Sequence, residues 1–320
     1  MNVVITGAAG FLGVRLTKAL LNESSPLPIK SLLLVDIQKP TLPSDPRVSS
    51  LAVNLVDPNV SDLIIHSDIH VLFHLAAIVS GHAEADFDIG LRVNFDATRA
   101  LVEKARHRNP SLRFIFTSTV GVFGGNLPPI VDDLTAVTPQ NSYGTEKAMC
   151  ELLLNDYARR GYVDARIVRL PTVSVRAGAA NQAVTSFASG IIREPLNGCS
   201  SVCPVDCTQE LWLTSPSTVV SNIIHASTLG PDALGPWRAV NLPGICVSVG
   251  QMLNALREVA GDQVASLVHF KGDEVIARIV GSFPSRFDNT RGLQLGFTVD
   301  KNFADIIRIY IRDDLNRELH

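Results

Sequence analysis

The chain has 320 residues, 46% of them hydrophobic and 18% charged; that suffices for a large core in two lobes and excludes a disordered chain. A net charge of −3, with neither a basic run nor an acidic tail, speaks against a nucleic-acid partner. No apolar stretch reaches the ~18 residues of a membrane span. Met1-Asn2 leads straight into an apolar strand without the marks of a secretory signal, so a cytoplasmic protein is expected.

Val3-Val4-Ile5 reads as a buried strand, and Phe11 to Leu21 as a helix with Leu12, Leu16 and Leu20 on one stripe. Ser31 to Val35 is a second apolar strand ending at Asp36; the residues from there to 50, broken by Pro40, Pro43 and Pro46, read as loop. Val71 to Leu75 is a strand. Ile89 to Arg108 reads as one long helix with Leu91, Phe95, Leu101 and Val102 inward, stopped by Asn109-Pro110. Arg113 to Thr117 is a strand, Tyr143 to Arg159 a helix stopped by Gly161, and Ala165 to Leu170 a strand stopped by Pro171. Wholly apolar strands alternating with helices predict an α/β chain with a Rossmann-type, doubly wound parallel sheet. Beyond residue 172 the signals mix. Ser186–Ile192, Val249–Ala260 and Asn302–Leu315 are predicted helical and Ala239–Leu242 a strand. The expected division is 1–172 for a ligand-binding sheet domain and 173–320 for a smaller C-terminal α+β substrate lobe, with segments around 210–243 returning to the sheet.

The five cysteines suit a reducing compartment. Cys199, Cys203 and Cys207 recur every fourth residue, but Pro204 interrupts them, the flanks look like loop and no histidine lies near. Free thiols are expected rather than a metal site.

The string TGAAGFLG, Thr6 to Gly13, sits between the first strand and the first helix. In that setting Gly7 permits a tight turn, Gly10 lets a pyrophosphate approach the backbone and Gly13 lets helix and strand pack closely. The helix N-terminus offers unpaired N–H groups to the phosphates. Alone, such a motif is also an ordinary turn. Asp36, ending the second strand, adds an acceptor for both ribose hydroxyls of adenosine, and Ile37-Gln38 supplies no arginine for a 2′-phosphate. NAD is therefore expected over NADP.

In NSYGTEKAMCELLL, Tyr143 and Lys147 stand four apart on a helix and share a face. A neighbouring ammonium favours a phenolate, so Lys147 is expected to lower the phenol pKa and Tyr143 to take a proton from a substrate hydroxyl. Alone, this spacing is also an ordinary surface pair. Ser118 and Thr119, at the end of the strand beginning at Arg113, add hydroxyls beyond the strand ends, where open parallel sheets bind ligands.

Together these motifs resemble the extended short-chain dehydrogenase/reductase family over nearly the whole chain. The resemblance implies a Ser/Thr–Tyr–Lys catalytic group on Thr119, Tyr143 and Lys147, with Ser118 adjacent. It implies cofactor contacts at Gly7, Gly10, Phe11, Leu12, Gly13 and Asp36, and at Leu75, Ala76 and Ala77 of the HLAA string. Asn94 occupies a helix position usually held by asparagine. Pro171 and Thr172 of RLPTV fall beside the nicotinamide, joined there by Ser118, Tyr143 and Lys147. Asn54, with Leu55 beside it, stands where many relatives place an aspartate near the adenine. The resemblance also implies a homodimer joined through the helices Ile89–Arg108 and Tyr143–Arg159.

Many members act on nucleotide-linked sugars as epimerases or dehydratases and hold the phosphates with an arginine before a strand. Here that stretch is TQELWLTSP, with Gln209-Glu210 instead, and Glu210 is expected to repel a diphosphate. Longer strings resemble the sugar-acid dehydrogenases of the family, which oxidise carbon 2 of a four-carbon acid with NAD. A small carboxylate substrate asks for a fixed cation. Arg176 and Arg193 are candidates for it, Ser80, His82 and Trp212 for further substrate contacts, and Asn181 is a weaker one. The alternatives are a nucleotide-sugar epimerase or dehydratase that keeps its NAD, and a non-catalytic NAD-sensing protein.

Overall fold

The computed structural model describes residues 1–178 and 183–315; Asn181 lies outside the described residues. Along the chain come β1 (Asn2–Thr6), α1 (Phe11–Leu21), β2 (Ser31–Asp36), β3 (Val48–Ala52), α2 (Val60–Ile64), β4 (Val71–His74), α3 (Ser80–Ala85), α4 (Phe87–Gly90), α5 (Ala97–Arg108), β5 (Arg113–Thr119), α6 (Ser142–Arg159) and β6 (Asp164–Leu170). There follow β7 (Thr172–Val173), α7 (Phe187–Leu196), β8 (Ser201–Cys203), β9 (Glu210–Thr214), α8 (Pro216–Thr228), β10 (Ala239–Asn241), β11 (Ile245–Ser248), α9 (Val249–Ala260), α10 (Asp262–Ala265), β12 (Val268–Phe270), α11 (Glu274–Gly281), α12 (Thr290–Gln294) and α13 (Phe303–Asp314).

The central sheet runs β10-β6-β5-β4-β1-β2-β3, and every neighbouring pair is parallel. The apolar strand residues dictate this, because a parallel sheet must bury both faces. Leu16 and Leu20 of α1 pack with Val219, Val220 and Ile223 of α8 against Val3, Ile5, Leu32 and Phe73 on one face. Ile64 of α2, Leu101 and Val102 of α5 and Cys150 and Leu154 of α6 cover Val4, Leu72, Phe114 and Ile167 on the other. The strand order reverses between β1 and β4, so the C-terminal ends of those two strands open the crevice in which such sheets bind ligands.

A second core gathers Ile191 and Ile192 of α7, Leu211 and Leu213 of β9, Met252 and Leu256 of α9 and Ile306 and Ile307 of α13. Beside it lie a three-stranded sheet, β11-β9-β7, and a parallel pair, β12-β8.

Several sequence expectations change. The proline-punctuated loop gives way at Val48 to a short edge strand, β3. The single helix over Ile89–Arg108 is three pieces: α4, a wider π-helical turn over Leu91–Asp96, and α5. That turn carries Asn94, whose buried side chain points inward to Ile78 and Glu146. The segment 210–243 divides. β9 pairs with β7 and β11 in the smaller sheet, while α8 and β10 return to the central one. Cys203 lies buried in β8 instead of in a loop. α8 has no strong helical signal, being rich in Ser, Thr, Val and Ile; its Ser215 cap and Pro216 at the first turn start it, and its buried apolar face holds it.

Candidate active site

The glycine turn explains itself from the backbone outward. A Cβ at Gly7 would stand 2.6 Å from Ala76 N, and one at Gly13 would stand 2.2 Å from Gly7 O, so both positions are kept bare by the protein's own close packing. Gly7 also has φ +74°, a conformation that glycine alone adopts freely. Gly10 differs: its Cβ would meet only Gly7 O, at 3.2 Å, and otherwise faces open space. Gly10 is also the N-cap of α1, with no side-chain cap and no acid in the first turn. The first N–H groups of that helix therefore point unpaired into the crevice, where the helix dipole favours an anion.

Two adjoining cavities meet at Gly7 and Gly10. One, of about 320 Å³, is lined by Asp36, Asn54, Leu55, Ala76 and Ala77. The other, of about 380 Å³, is lined by Phe11, Leu12, Gly13, Thr119, Tyr143, Lys147, Pro171, Thr172 and Arg176. The two share Gly7, Gly10, Leu75 and Ala77, so they run together past the glycine turn, as an extended two-part ligand requires. Asp36 accepts from Ala9 N at 3.0 Å and from Gln38 N at 3.1 Å, which fixes its carboxylate at the edge of the smaller cavity.

Tyr143 and Lys147 are brought to the strand ends by local packing. Asn141 caps α6 by accepting from Gly144 N at 2.8 Å, and Glu84 accepts from Ser142 N at 2.9 Å. Gly144 lets the helix touch the turn after β5, since a Cβ there would lie 2.2 Å from Gly121 O. Lys147 donates to Thr117 O at 3.0 Å and stands 5.8 Å from the Tyr143 ring centroid. Thr119 accepts from Gly121 N at 3.0 Å, which leaves its hydroxyl proton to donate into the cleft.

The electrostatics differ from the sequence expectation. Burial, with the carboxylate of Glu146 adding to it, pushes the Tyr143 phenol up to about 12, and only Arg176 pulls the other way. Burial likewise draws the Lys147 ammonium down to about 8. In this state desolvation outweighs the charge of the lysine, so Lys147 does not lower the phenol.

Of the other expected site residues, Ser80 lines the larger cavity. Arg176 lines it too; its backbone N–H donates to Ser189 Oγ at 3.0 Å and its carbonyl accepts from Arg193 Nη1 at 2.9 Å. Arg193 is thereby a brace for Arg176, with its other nitrogen on Glu194, and not a ligand itself. Ser118 lines the cleft, but its hydroxyl donates to Glu151 Oε1 at 2.5 Å, because successive strand residues face opposite ways. It is committed to the buried Arg169–Glu151 pair and does not offer that hydroxyl to a substrate. Asn94 is also committed: it accepts from Ile78 N and donates to Ile78 O and Glu146, so it clamps the HLAA segment from behind and does not line the cofactor cavities. Trp212 is buried against Phe287, with ring centroids 5.2 Å apart, outside both cavities. His82 lies on α3 and does not line them either. Glu210 is paired with Arg286 at 2.7 Å, so the lone repulsive charge expected from the sequence is neutralised.

Sequence reasoning missed Arg92 on the adenosine side and Thr185 and Phe283 on the other. Arg92 follows from its place two residues before Asn94; Phe283 had no local signal, because it reaches the cleft only through the C-terminal fold. Among the described residues no group of three or more His, Cys, Asp or Glu side chains is placed to hold a metal, and no helix is long and apolar enough to cross a membrane.

Residues 3–209 match the model of the NAD dependent epimerase/dehydratase family. The chain belongs to that family. It is an NAD-dependent oxidoreductase, and the fit of the glycine turn, the uncapped α1 and Asp36 to a dinucleotide agrees with it. Within the family it is 51% identical over 316 residues to the D-erythronate dehydrogenase of Haemophilus influenzae, covering 98% of this chain and 100% of that protein. It is 49% identical to the D-erythronate dehydrogenase of Cupriavidus necator, covering 98% of each. Among solved structures, one described as the nucleoside-diphosphate-sugar epimerase from Agrobacterium tumefaciens superposes with a TM-score of 0.95 at 39% identity, covering 100% of this chain and 96% of that one.

Proposed function

We propose that the chain oxidises the carbon-2 hydroxyl of a small sugar acid, D-erythronate, to the 2-oxo acid. The observation that carries this reading is the 51% identity to a D-erythronate dehydrogenase along nearly the whole of both chains. Held in the cradle, NAD would supply the acceptor for the carbon-2 hydrogen and its electron pair. Tyr143 Oη takes the hydroxyl proton, so that the C–H bond is lost as hydride and the O–H bond as a proton, and a C=O bond forms. Thr119 donates a hydrogen bond to the reacting oxygen. Lys147, anchored on Thr117 O, places its amine beside the Tyr143 ring on that side of the cleft. Arg176 grips the substrate carboxylate, since a guanidinium stays charged and suits a planar anion. Leu75, Ala76 and Ala77 shape the cradle, and Asp36 takes the adenosine ribose.

The division into a cofactor part to residue 172 and a substrate part from 173 to 320 belongs to the same proposal, as do a cytoplasmic location and a homodimer. Exposed Leu152 lies on α6, one of the two helices expected to pair, and light scattering reads the mass directly. The test of the reaction is steady-state: aldonates are supplied with NAD or NADP and the reduced-cofactor absorbance followed. Sustained NADH formation with D-erythronate supports the reading. Conversion of a nucleotide sugar without net NADH would instead favour the epimerase that the A. tumefaciens structure's name describes.

A further inference from the structure

We propose that Phe283 is the end wall of the substrate cleft and sets the length of sugar acid the enzyme takes, an inference that rests on the sugar-acid reading above. The larger cavity is lined by the polar residues Thr119, Tyr143, Arg176 and Thr185 and by the apolar Val120 and Phe283. The phenyl ring lies beside the turn that follows Thr119: a Cβ on Gly121 would stand 3.8 Å from Phe283 Cε1. A ring there gives a sugar hydroxyl no hydrogen-bond partner. Each carbon added beyond the fourth would press a hydroxyl against it and strip its water uncompensated.

The wall is fixed in place from both sides. Phe283 N donates to Val280 O at 3.1 Å, and Val280 is fully buried in the C-terminal core. Two residues on, Ser285 donates to Glu210 Oε2 at 3.1 Å, and Arg286 donates to the same carboxylate through Nε at 3.1 Å and Nη2 at 2.7 Å. Val131 N then donates to Arg286 O at 3.0 Å, and Phe287 is buried against Trp212 and Phe123. Glu210 is thus the anchor of the segment that carries Phe283 to the cleft.

The test compares kcat/KM for D-erythronate and for five- and six-carbon aldonates with NAD, in the intact wild-type protein, Phe283→Ala and Phe283→Leu. The Leu variant keeps an apolar group should the Ala variant lose stability. The ratio of five-carbon to four-carbon kcat/KM is expected to rise about tenfold or more in Phe283→Ala, and by less in Phe283→Leu. Wild-type activity on D-erythronate with unchanged ratios in the variants overturns the end wall alone. A wild type that oxidises no aldonate overturns the sugar-acid reading, and this inference with it.

Discussion

At the scale of single residues, the site's chemistry rests on one phenol and one ammonium, with Lys147 Nζ 5.8 Å from the Tyr143 ring centroid. Burial draws Lys147 down to about 8 and pushes Tyr143 up to about 12, so it favours the neutral form of both. Oxidation needs Tyr143 free to take a proton, and with the phenol raised to about 12 its deprotonated share grows with pH, so kcat/KM for the acid should rise from pH 6 to 9. A profile flat from pH 6 to 9 would contradict this. Tyr143→Phe should cut turnover by about 10²-fold or more while a titration of NAD shows nearly unchanged affinity. Arg176→Ala should act mainly through KM, with kcat/KM down by about 10²-fold from the loss of a charged contact; unchanged KM would remove Arg176 as the carboxylate's partner. Tyr143 and Lys147 were legible in the sequence because they stand four apart in a helical motif. Ser118 misled for a physical reason: adjacent strand hydroxyls look equivalent in sequence, but the pleat turns one into the cleft and the other to Glu151.

At the scale of elements, the sheet is tied beneath the site by polar groups that its apolar strands do not advertise. Arg169 of β6 and Glu151 of α6 form a fully buried pair at 2.7 Å, with Ser118 of β5 on the same carboxylate. Removing one charge strands the other, so Glu151→Ala should cost about 3–5 kcal/mol in urea unfolding. His74, at the end of β4, is held neutral between Thr6 at 2.6 Å and Thr98 at 2.9 Å, and burial pulls its pKa from 6.5 to about 3. The unfolded chain binds that proton below about 6.5 and the folded one only below about 3. Stability from this group is therefore complete above 6.5 and is lost as pH falls, by up to about 1.4 kcal/mol per unit. His74→Gln should flatten that slope between pH 6.5 and 4.5, and an unaltered slope would show that other groups carry it. The strands and long helices of the central sheet were legible because apolar runs and caps are local signals. The π-helical turn at Leu91–Asp96, the edge strand β3 and α8 were not, since side-chain clamps, strand pairing and tertiary burial decide them.

At the scale of the whole molecule, the cofactor crevice is formed where the strand order reverses, and chain from after residue 172 is laid across its nicotinamide end. That covering brings Arg176, Thr185 and Phe283 to the cleft from positions with no common sequence pattern, which is why the cofactor side was readable and the substrate side was not. The same geometry makes the adenosine end a test of cofactor choice: Asp36→Ala should weaken NAD by about tenfold or more through the lost ribose contacts and relax the discrimination against NADP. The most direct measurement of the central claim is the reduced-cofactor absorbance during steady-state turnover of D-erythronate with NAD, run beside the Tyr143→Phe protein. Continuous NADH release by the wild type and near-silence in the variant is the predicted result. No NADH from the wild type, or equal rates from both proteins, would contradict a tyrosine-based sugar-acid dehydrogenase.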